Sequence, residues 1–276
     1  MMIDLHAHIL PGLDDGAENF GESVEMCLAS YKDGVRTIVA TPHTMNGSYR
    51  NNRSTILVKV RELNDLIKEL KDPQPEISFC HQSKIEDSSG FRNREQRGLD
   101  LRILPGADFH FCEEVLSQLE QGNATTVGDV GKCLSLEFPF QGIPSKAEEV
   151  LFKLIARGVT PIISHPERNL EVGQRPQRYY EMIRMGCLGQ VTAMSLTGGF
   201  GLEVRRVAEK LLASRLVHFI ASDAHSIAGR PPILSEAVRA AERIVGRKEA
   251  RKMVIEYPQA VLEGRKPNVP DPIAIR

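Results

Sequence analysis

The sequence predicts an α/β fold whose parallel strands close into a barrel. Short apolar runs alternate regularly with segments of helical periodicity, and this alternation is typical of parallel strands joined by helices. About seven such units follow one another, without the Gly-x-Gly-x-x-Gly fingerprint of a dinucleotide-binding sheet. The chain has 276 residues, close to the roughly 250 of an α/β barrel. We therefore predict a single barrel domain over residues 1–276.

Seven apolar runs predict the strands. They are Met2–His8, Val35–Thr41, Leu101–Leu104, Cys133–Phe138, Val159–Ser164, Leu188–Val191 and Leu216–Ala221. The first run ends before the break at Pro11-Gly12, and Pro42 ends the second.

Segments with helical periodicity lie between these strands. The predicted helices are Glu22–Lys32, Ser54–Lys71, Lys146–Ala156, Gln177–Met185, Glu203–Ser214, Leu234–Val245 and Glu249–Glu256. In the second of them, one face carries Leu57, Val60, Leu63, Leu66, Ile67 and Leu70. Such an apolar face is expected to pack against the strands.

Two segments depart from this pattern. Residues 72–100 are polar, with charged side chains around Ser88-Ser89-Gly90, and such a composition cannot bury a core. We predict an exposed insertion there, which could also serve as a lid or a partner-docking loop, because long loops in compact domains are often functional. Residues 266–276 contain three prolines and form a C-terminal tail without predicted chemistry.

Composition excludes several classes of protein. The formal net charge is −1, so no global field attracts nucleic acid or an anionic membrane. The start MMIDLHAHILPG lacks the pattern of a signal peptide, and no stretch approaches the roughly 20 apolar residues of a membrane span. The five cysteines are scattered, without a Cys-x-x-Cys pair. We therefore expect a cytoplasmic protein.

Five of the eight histidines lie at or just beyond the carboxyl ends of predicted strands. Barrel enzymes have their active sites at that end, so these side chains should converge in space. In Asp4-Leu5-His6-Ala7-His8, the alternate residues Asp4, His6 and His8 share one face of the strand. Two imidazoles at that spacing can bind one metal ion, and the nearby carboxylate can orient a ligand.

Other strand ends carry similar polar side chains. Asp223 and His225 share a face directly after the last predicted strand. Further candidates at strand ends or on the loop that leaves the first strand are His43, His165, Asp108 and Asp15. Burial of unpaired polar groups is costly, so their recurrence favours a metal site over packing. Three histidines are predicted to be structural, namely His81, His110 and His218.

The ligand types predict the metal and the substrate class. Imidazole and carboxylate ligands without thiolate suit Mn²⁺, Fe²⁺ or Zn²⁺. Eight candidate ligands exceed what one ion binds, so two or three divalent ions are predicted, and such a site suits a phosphate ester. Arg168 and Arg230 lie only a few residues beyond His165 and His225. One guanidinium group can bind two phosphate oxygens at once, so both arginines are predicted to bind the phosphate.

Four motifs together resemble the polymerase-and-histidinol-phosphatase (PHP) superfamily. They are Asp4-Leu5-His6-Ala7-His8, Thr41-Pro42-His43, His165-Pro166-Glu167-Arg168 and Ser222-Asp223-Ala224-His225. Within that superfamily, residues 9–16 (ILPGLDDG) and 229–232 (GRPP) resemble the bacterial capsule-associated tyrosine-protein phosphatases. The similarity extends to about Asn268 and is interrupted by the polar insertion.

The resemblance implies a distorted (β/α)7 TIM-like barrel of the PHP type. It also implies hydrolysis of phosphotyrosine by a metal-bound hydroxide, commonly with manganese. The implied ligands are His6, His8, Asp108 and Asp223 for a first ion, Asp108 and His165 for a second, and Asp15, His43 and His225 for a third. Arg168 and Arg230 match the phosphate-binding arginines. The bridging position is usually glutamate in these relatives, whereas this chain has the shorter Asp108.

Our hypothesis for the mechanism is direct in-line attack on phosphorus by a metal-bridging hydroxide, without a phosphoenzyme intermediate, with ions and arginines neutralising the equatorial oxygens. Asp15 or a ligated water would protonate the leaving phenolate. No arginine stands six residues after any cysteine, so the Cys-x5-Arg loop of cysteine-based phosphatases is missing and the nucleophile should be water.

Several alternatives stay open. A phosphatase of histidinol phosphate or another small molecule would share all the ligands. A nuclease is disfavoured, because no basic stripe with interleaved aromatics is present. A non-catalytic, metal-stabilised module that regulates a kinase would bind metal without turnover. The resemblance itself implies a phosphotyrosine protein as substrate, such as the tyrosine-rich tail of a bacterial kinase of polysaccharide synthesis or export.

Overall fold

A computed structural model describes residues 1–70 and 98–275. Most of the insertion predicted at 72–100, together with His81, lies outside the described residues. The strands of the described part are β1 (Met2–Ala7), β2 (Val35–Ala40), β3 (His43–Thr44), β4 (Arg102–Pro105), β5 (Asp108–His110), β6 (Cys133–Glu137), β7 (Thr160–Ser164), β8 (Leu188–Thr192) and β9 (Phe219–Ala221).

Helices connect most of these strands. They are α1 (Phe20–Lys32), α2 (Arg53–Glu69), α3 (Val115–Glu120), α4 (Ala147–Ala156), α5 (Leu170–Gln174), α6 (Gln177–Met185), α7 (Ala193–Thr197), α8 (Leu202–Ala213), α9 (Ser235–Val245), α10 (Arg247–Lys252) and α11 (Glu256–Leu262). Two short 3₁₀ helices cover Val127–Asp129 and Pro166–Arg168. Among the described helices, none has the length and apolar character needed to span a lipid bilayer.

The strands form two parallel sheets, ordered β1-β2-β4 and β3-β5-β6-β7-β8-β9. The first sheet ends with the pair β2 and β4, and the second begins with the pair β3 and β5. The break between the sheets falls at the same level in both chain segments, because Ala40 pairs with Pro105 and His43 pairs with Asp108. On the other side, a parallel bridge between Ala7 and Ala224 joins β1 to the segment after β9. The predicted parallel α/β fold is confirmed, while the ladders of the described residues form two sheets rather than one closed ring.

The structure also contains elements that were not predicted, namely α3, α5, α7, β3 and β5, and it differs from the prediction near the C-terminus. The helix predicted at Glu249–Glu256 is two helices, α10 and α11. Pro258 lies in the first turn of α11, where its missing N–H costs no helical hydrogen bond, so a new helix begins there. The tail has no helix or strand between residues 266 and 275, but Ile273 donates its backbone N–H to Ser214.

Helix caps and the core fix the remaining geometry. α1 begins two residues before the predicted start, because the side chain of Asn19 accepts the N–H of Glu22. The side chain of Asn52 caps α2 in the same way. Apolar strand residues fill one continuous core, with Ile38, Leu134, Leu136, Ile163 and Phe219 fully buried. The strands are thus held rigidly, and so are the side chains that follow them.

Candidate functional site

The structure brings together all eight residues predicted as metal ligands. Their donor atoms form groups in which every pair lies within 4.8 Å. The groups are His8 with Asp15, His43 and His225; His6 with Asp108 and His165; His6 with His8 and Asp223; and His43 with Asp108 and Glu137. Most of them lie at the carboxyl ends of strands or on the loops that follow, whereas His43 and Asp108 begin the short strands β3 and β5, which come directly after β2 and β4. The groups share members, so one continuous cluster results.

The imidazoles of His6 and His8 face each other with their Nε2 atoms 3.0 Å apart. The Nδ1 atom of His6 donates to Gln190, and that of His8 donates to Asp14 at 2.6 Å. Burial lowers the pKa of His6 to about 4, so its Nε2 carries a bare lone pair. Burial also opposes charge on His8, but Asp14 and Asp223 raise its pKa to about 10. The two facing Nε2 atoms thus share one cation, which is a proton on His8 in the absence of metal and can be replaced by a metal ion.

Asp108 supplies a buried anion at the centre of the cluster. Its Oδ1 accepts from the hydroxyl of Ser164 at 2.7 Å. Its Oδ2 has no hydrogen-bond partner among the described residues, although Nδ1 of His43 lies 3.5 Å away and Nε2 of His6 lies 3.8 Å away. Burial opposes ionisation of Asp108, yet His6 and the neighbouring imidazoles hold its pKa below the usual range. An unpartnered buried carboxylate oxygen among imidazole nitrogens is what a bridging metal ligand requires.

Asp15 completes the outer group of donors. Its Oδ1 lies 3.5 Å from Nε2 of His225 and 3.6 Å from Nε2 of His43. The hydrogen bond with His225 is the largest cause that holds the pKa of Asp15 well below its usual range. The side chain of Asp15 is about half exposed (55%). This group therefore opens towards solvent, whereas the His6 groups are buried.

Asp4 has a different role from the one predicted. It shares the strand face with His6, but its carboxylate accepts from the backbone N–H and the hydroxyl of Ser222. Burial raises the pKa of Asp4 to about 6. Asp4 therefore joins β1 to the segment after β9, and the ligands are oriented by Asp14 and Gln190 instead.

Two site residues have an uncommon backbone conformation. His165 has a φ of 34° and Asp223 a φ of 52°, in the left-handed region that residues other than glycine rarely adopt. The surrounding bonds hold Asp223 there, because its N–H donates to the carbonyl of His6 at 2.8 Å. Such outliers cluster at functional sites.

Gly16 allows the Asp14-Asp15 loop to fold back onto β1. A Cβ atom on Gly16 would lie 2.0 Å from the carbonyl oxygen of His8, so the backbone would have to move. We expect Gly16→Ala to cost about 1–3 kcal/mol in the free energy of unfolding, as other overpacked sites do. Urea denaturation measures this. The control is Gly173→Ala in α5, where the nearest atom, on Val207, lies at 3.4 Å; an equal loss in both variants would contradict the prediction.

Arg168 and Arg230 converge on one oxygen of Asp223. Arg168 donates Nη2 to Oδ2 at 2.7 Å, and Arg230 donates Nη1 to the same atom at 3.0 Å. The other oxygen, Oδ1, lies 3.4 Å from Nε2 of both His6 and His8. The Nε of Arg168 is buried without a hydrogen-bond partner among the described residues. Asp223 thus separates the imidazole pair from two guanidinium groups that have donor capacity left for an anion.

A cavity of about 480 Å³ opens over these groups. The residues that line it include Asp15, His43, Tyr49, Glu137, Phe140, Arg168, Asp223, His225 and Arg230. The lining thus contains imidazoles and carboxylates together with the two arginines. The donor set fits divalent ions, and the adjoining arginines fit an anionic group bound beside them.

Comparison of the whole sequence with known proteins identifies its family. A family model described as capsular polysaccharide synthesis, CpsB/CapC, matches residues 2–85 and 80–263. The chain belongs to the CpsB/CapC family. The tyrosine-protein phosphatase YwqE of Bacillus subtilis (strain 168) is 33% identical over 265 residues, which cover 96% of this chain and 92% of YwqE. The tyrosine-protein phosphatase CpsB of Streptococcus pneumoniae is 28% identical over 266 residues, covering 95% and 98%.

A solved structure supports the same assignment. It is described as belonging to YwqE from Bacillus subtilis and CpsB from Streptococcus pneumoniae, unique metal-dependent tyrosine phosphatases. It matches with a TM-score of 0.86 and 32% identity, covering 100% of both chains. The resemblance predicted from the motifs is thereby confirmed at the level of the CpsB/CapC family.

The CpsB/CapC site contains residues that the sequence analysis missed. Glu137 ends β6, and its carboxylate lies 3.5 Å from Nε2 of His165 and 3.6 Å from Nδ1 of His43. It also lies 3.6 Å from Nδ1 of His110 and raises the pKa of that imidazole, so His110 borders the site. His218 is away from it and accepts the N–H of Gly189. The position of Glu137 at the end of an apolar strand was the signal that could have identified it.

In this CpsB/CapC chain, Glu137→Gln should weaken the binding of one metal ion. The amide is neutral, so His43 and His165 would lose the anionic partner between them, and we expect about a 10- to 100-fold loss of Mn²⁺ affinity at one site. Calorimetric titration with Mn²⁺ measures this. The control is Glu148→Gln, a carboxylate that accepts from Arg178 outside the site. Identical titrations of wild type and Glu137→Gln would contradict the prediction.

Proposed function

We propose that this chain is a metal-dependent phosphomonoesterase that hydrolyses phosphotyrosine in proteins. The observation that carries the proposal is the position of Asp223, with one oxygen facing His6 and His8 and the other facing Arg168 and Arg230. A phosphate group in the cavity could contact the metal-binding side and the arginines together. The names of the relatives support tyrosine phosphate as the substrate.

The metal ligands we propose are the eight predicted residues together with Glu137. They are His6, His8, Asp15, His43, Asp108, Glu137, His165, Asp223 and His225. We further propose two or three ions, with manganese first and iron or zinc as alternatives. Divalent ions at these donors supply Lewis acidity and lower the pKa of a water nucleophile towards ~7.

The residues of the chain bind and orient the substrate. Arg168 and Arg230 bind the equatorial oxygens of the phosphate and neutralise the charge that develops on them. Gln190 and Asp14 hold the imidazoles of His6 and His8 through their Nδ1 atoms, which fixes Nε2 towards the site. The pKa of Asp15 lies below its usual range, so Asp15 is proposed as a ligand, and a water as the proton donor to the leaving phenolate.

The barrel architecture and the physiological substrate are also proposals. We propose that the two sheets are parts of one distorted seven-position barrel within a single domain, because Thr41-Pro42 alone separates β2 from β3 and Gly106-Ala107 alone separates β4 from β5. We also propose a bacterial tyrosine kinase of polysaccharide synthesis as the physiological substrate, since the matching family is described as capsular polysaccharide synthesis.

The test is hydrolysis after metal reconstitution. Protein stripped of metal and reloaded with Mn²⁺ is assayed on a phosphotyrosine peptide and on histidinol phosphate, with His6→Ala as the control. We expect turnover of the peptide, its loss on chelation and in the control, and resistance to cysteine alkylation. Preference for histidinol phosphate would place the chain among small-molecule phosphatases. Bound metal without turnover of either substrate would favour a non-catalytic regulatory module.

A further inference from the structure

Phe200 lies against Arg168 and Arg230, the two arginines proposed to bind phosphate. The distance from its ring centroid to the guanidinium carbon Cζ is 5.1 Å for Arg168 and 5.4 Å for Arg230. Both distances fall within the roughly 6 Å over which a ring face attracts a cation. Phe140 also lies near Arg168, at 5.8 Å. Phe200 is therefore the aromatic ring that the two guanidinium groups share.

A glycine-rich loop places Phe200 there. The segment Gly198-Gly199-Phe200-Gly201 connects α7 to α8. Gly198 and Gly201 have φ values of 90° and 92°, which favour glycine over other residues. A Cβ atom on Gly199 would lie 2.5 Å from the terminal methyl of Met194. The backbone of the loop thus depends on Gly198 and Gly201, and none of the proposed metal ligands lies on it.

The arginine pair needs such a neighbour. Two guanidinium groups on one carboxylate oxygen repel each other, and Asp223 supplies a single negative charge. The face of an aromatic ring carries partial negative charge that attracts both cations. It also leaves their N–H groups free, since it occupies none of their hydrogen-bond donors in the plane of the guanidinium.

We propose that Phe200 is a positioning residue that holds Arg168 and Arg230 together for a phosphate group. It acts through the arginines and does not touch the reacting atoms. The inference rests on the part of the proposed function that assigns phosphate binding to the two arginines. It does not depend on which phosphate ester is the substrate.

The first measurement is binding of inorganic phosphate to Mn²⁺-loaded protein by calorimetry. Phe200→Leu should raise the dissociation constant about five- to tenfold, through the loss of two cation–π contacts, and leave the Mn²⁺ content unchanged. Phe200→Tyr, which keeps the ring, should restore the affinity. The control is Phe152→Leu on α4, an exposed phenylalanine, which should bind phosphate like the wild type.

A double-mutant cycle separates positioning from a merely structural effect. In an Arg168→Lys background, the effect of Phe200→Leu should shrink, because one of the two contacts is already altered. An unchanged effect in that background, unchanged phosphate affinity in Phe200→Leu, or no phosphate binding by the wild type would each overturn the proposal. If the wild type binds phosphate but hydrolyses no phosphotyrosine peptide, the proposed function fails while the effect of Phe200 still stands.

Discussion

Asp223→Asn is expected to lower kcat/KM for a phosphotyrosine peptide by about 10³-fold, the upper end of the effect of removing a stabilising group from an active site. The carboxylate faces Nε2 of His6 and of His8 with one oxygen and accepts from Arg168 and Arg230 with the other. The substitution therefore weakens a metal site and the anchor of the arginines together. Steady-state kinetics and metal analysis of the dialysed protein measure both losses.

Asp129→Asn is the matched control for this variant. Both aspartates have a positive φ, 52° for Asp223 and 57° for Asp129, and asparagine is well tolerated there. Both accept from an arginine, since Asp129 pairs with Arg53 at 2.6 Å. Asp129 lies outside the site, so its variant should keep full metal content and activity. If Asp223→Asn retained wild-type metal content and kinetics, the proposed site would be wrong.

The parallel α/β fold was predictable because periodicity and the length of apolar runs are properties of the sequence alone. The break between β2 and β3 was only partly predictable. Pro42 marked the end of a strand, but the return to strand geometry at His43 depends on pairing with Asp108 across the sheet. Likewise, α10 ends at Lys252 and α11 begins at Glu256, with Pro258 in its first turn, although helical periodicity does not mark this break.

The membership of the candidate site was largely predictable, because parallel strands present their carboxyl ends at the same edge. The roles of individual carboxylates were less so. Asp14 and Asp15 are adjacent in sequence, yet Asp14 accepts from His8 and from the N–H of His43, whereas Asp15 faces His43 and His225. The fold of the loop at Gly16 determines this division, and no pattern in the sequence expresses it.

Arg168→Lys is expected to lower kcat/KM for the phosphotyrosine peptide by about 100-fold while metal content stays unchanged. Lysine keeps the charge but not the planar fork of donors that binds two phosphate oxygens. Arg168 already uses Nη2 on Asp223, and its buried Nε has no partner among the described residues. A lysine that replaced the contact with Asp223 would have no second donor fixed at that position. Steady-state kinetics with the peptide measure the loss.

Arg178→Lys makes the same chemical change outside the site and therefore tests whether that loss is specific. Arg178 donates Nε and Nη2 to the two oxygens of Glu148, at 2.8 Å and 2.9 Å, so its fork is also used in full. Its variant should keep wild-type kinetics, because Arg178 lies outside the site, where it bonds Glu148, Glu171 and the carbonyls of Ile143 and Pro144. Equal kinetics for Arg168→Lys and wild type would show that charge alone suffices at residue 168. Equal losses in both variants would instead indicate a general effect on folding, and neither result is compatible with a bidentate role for Arg168.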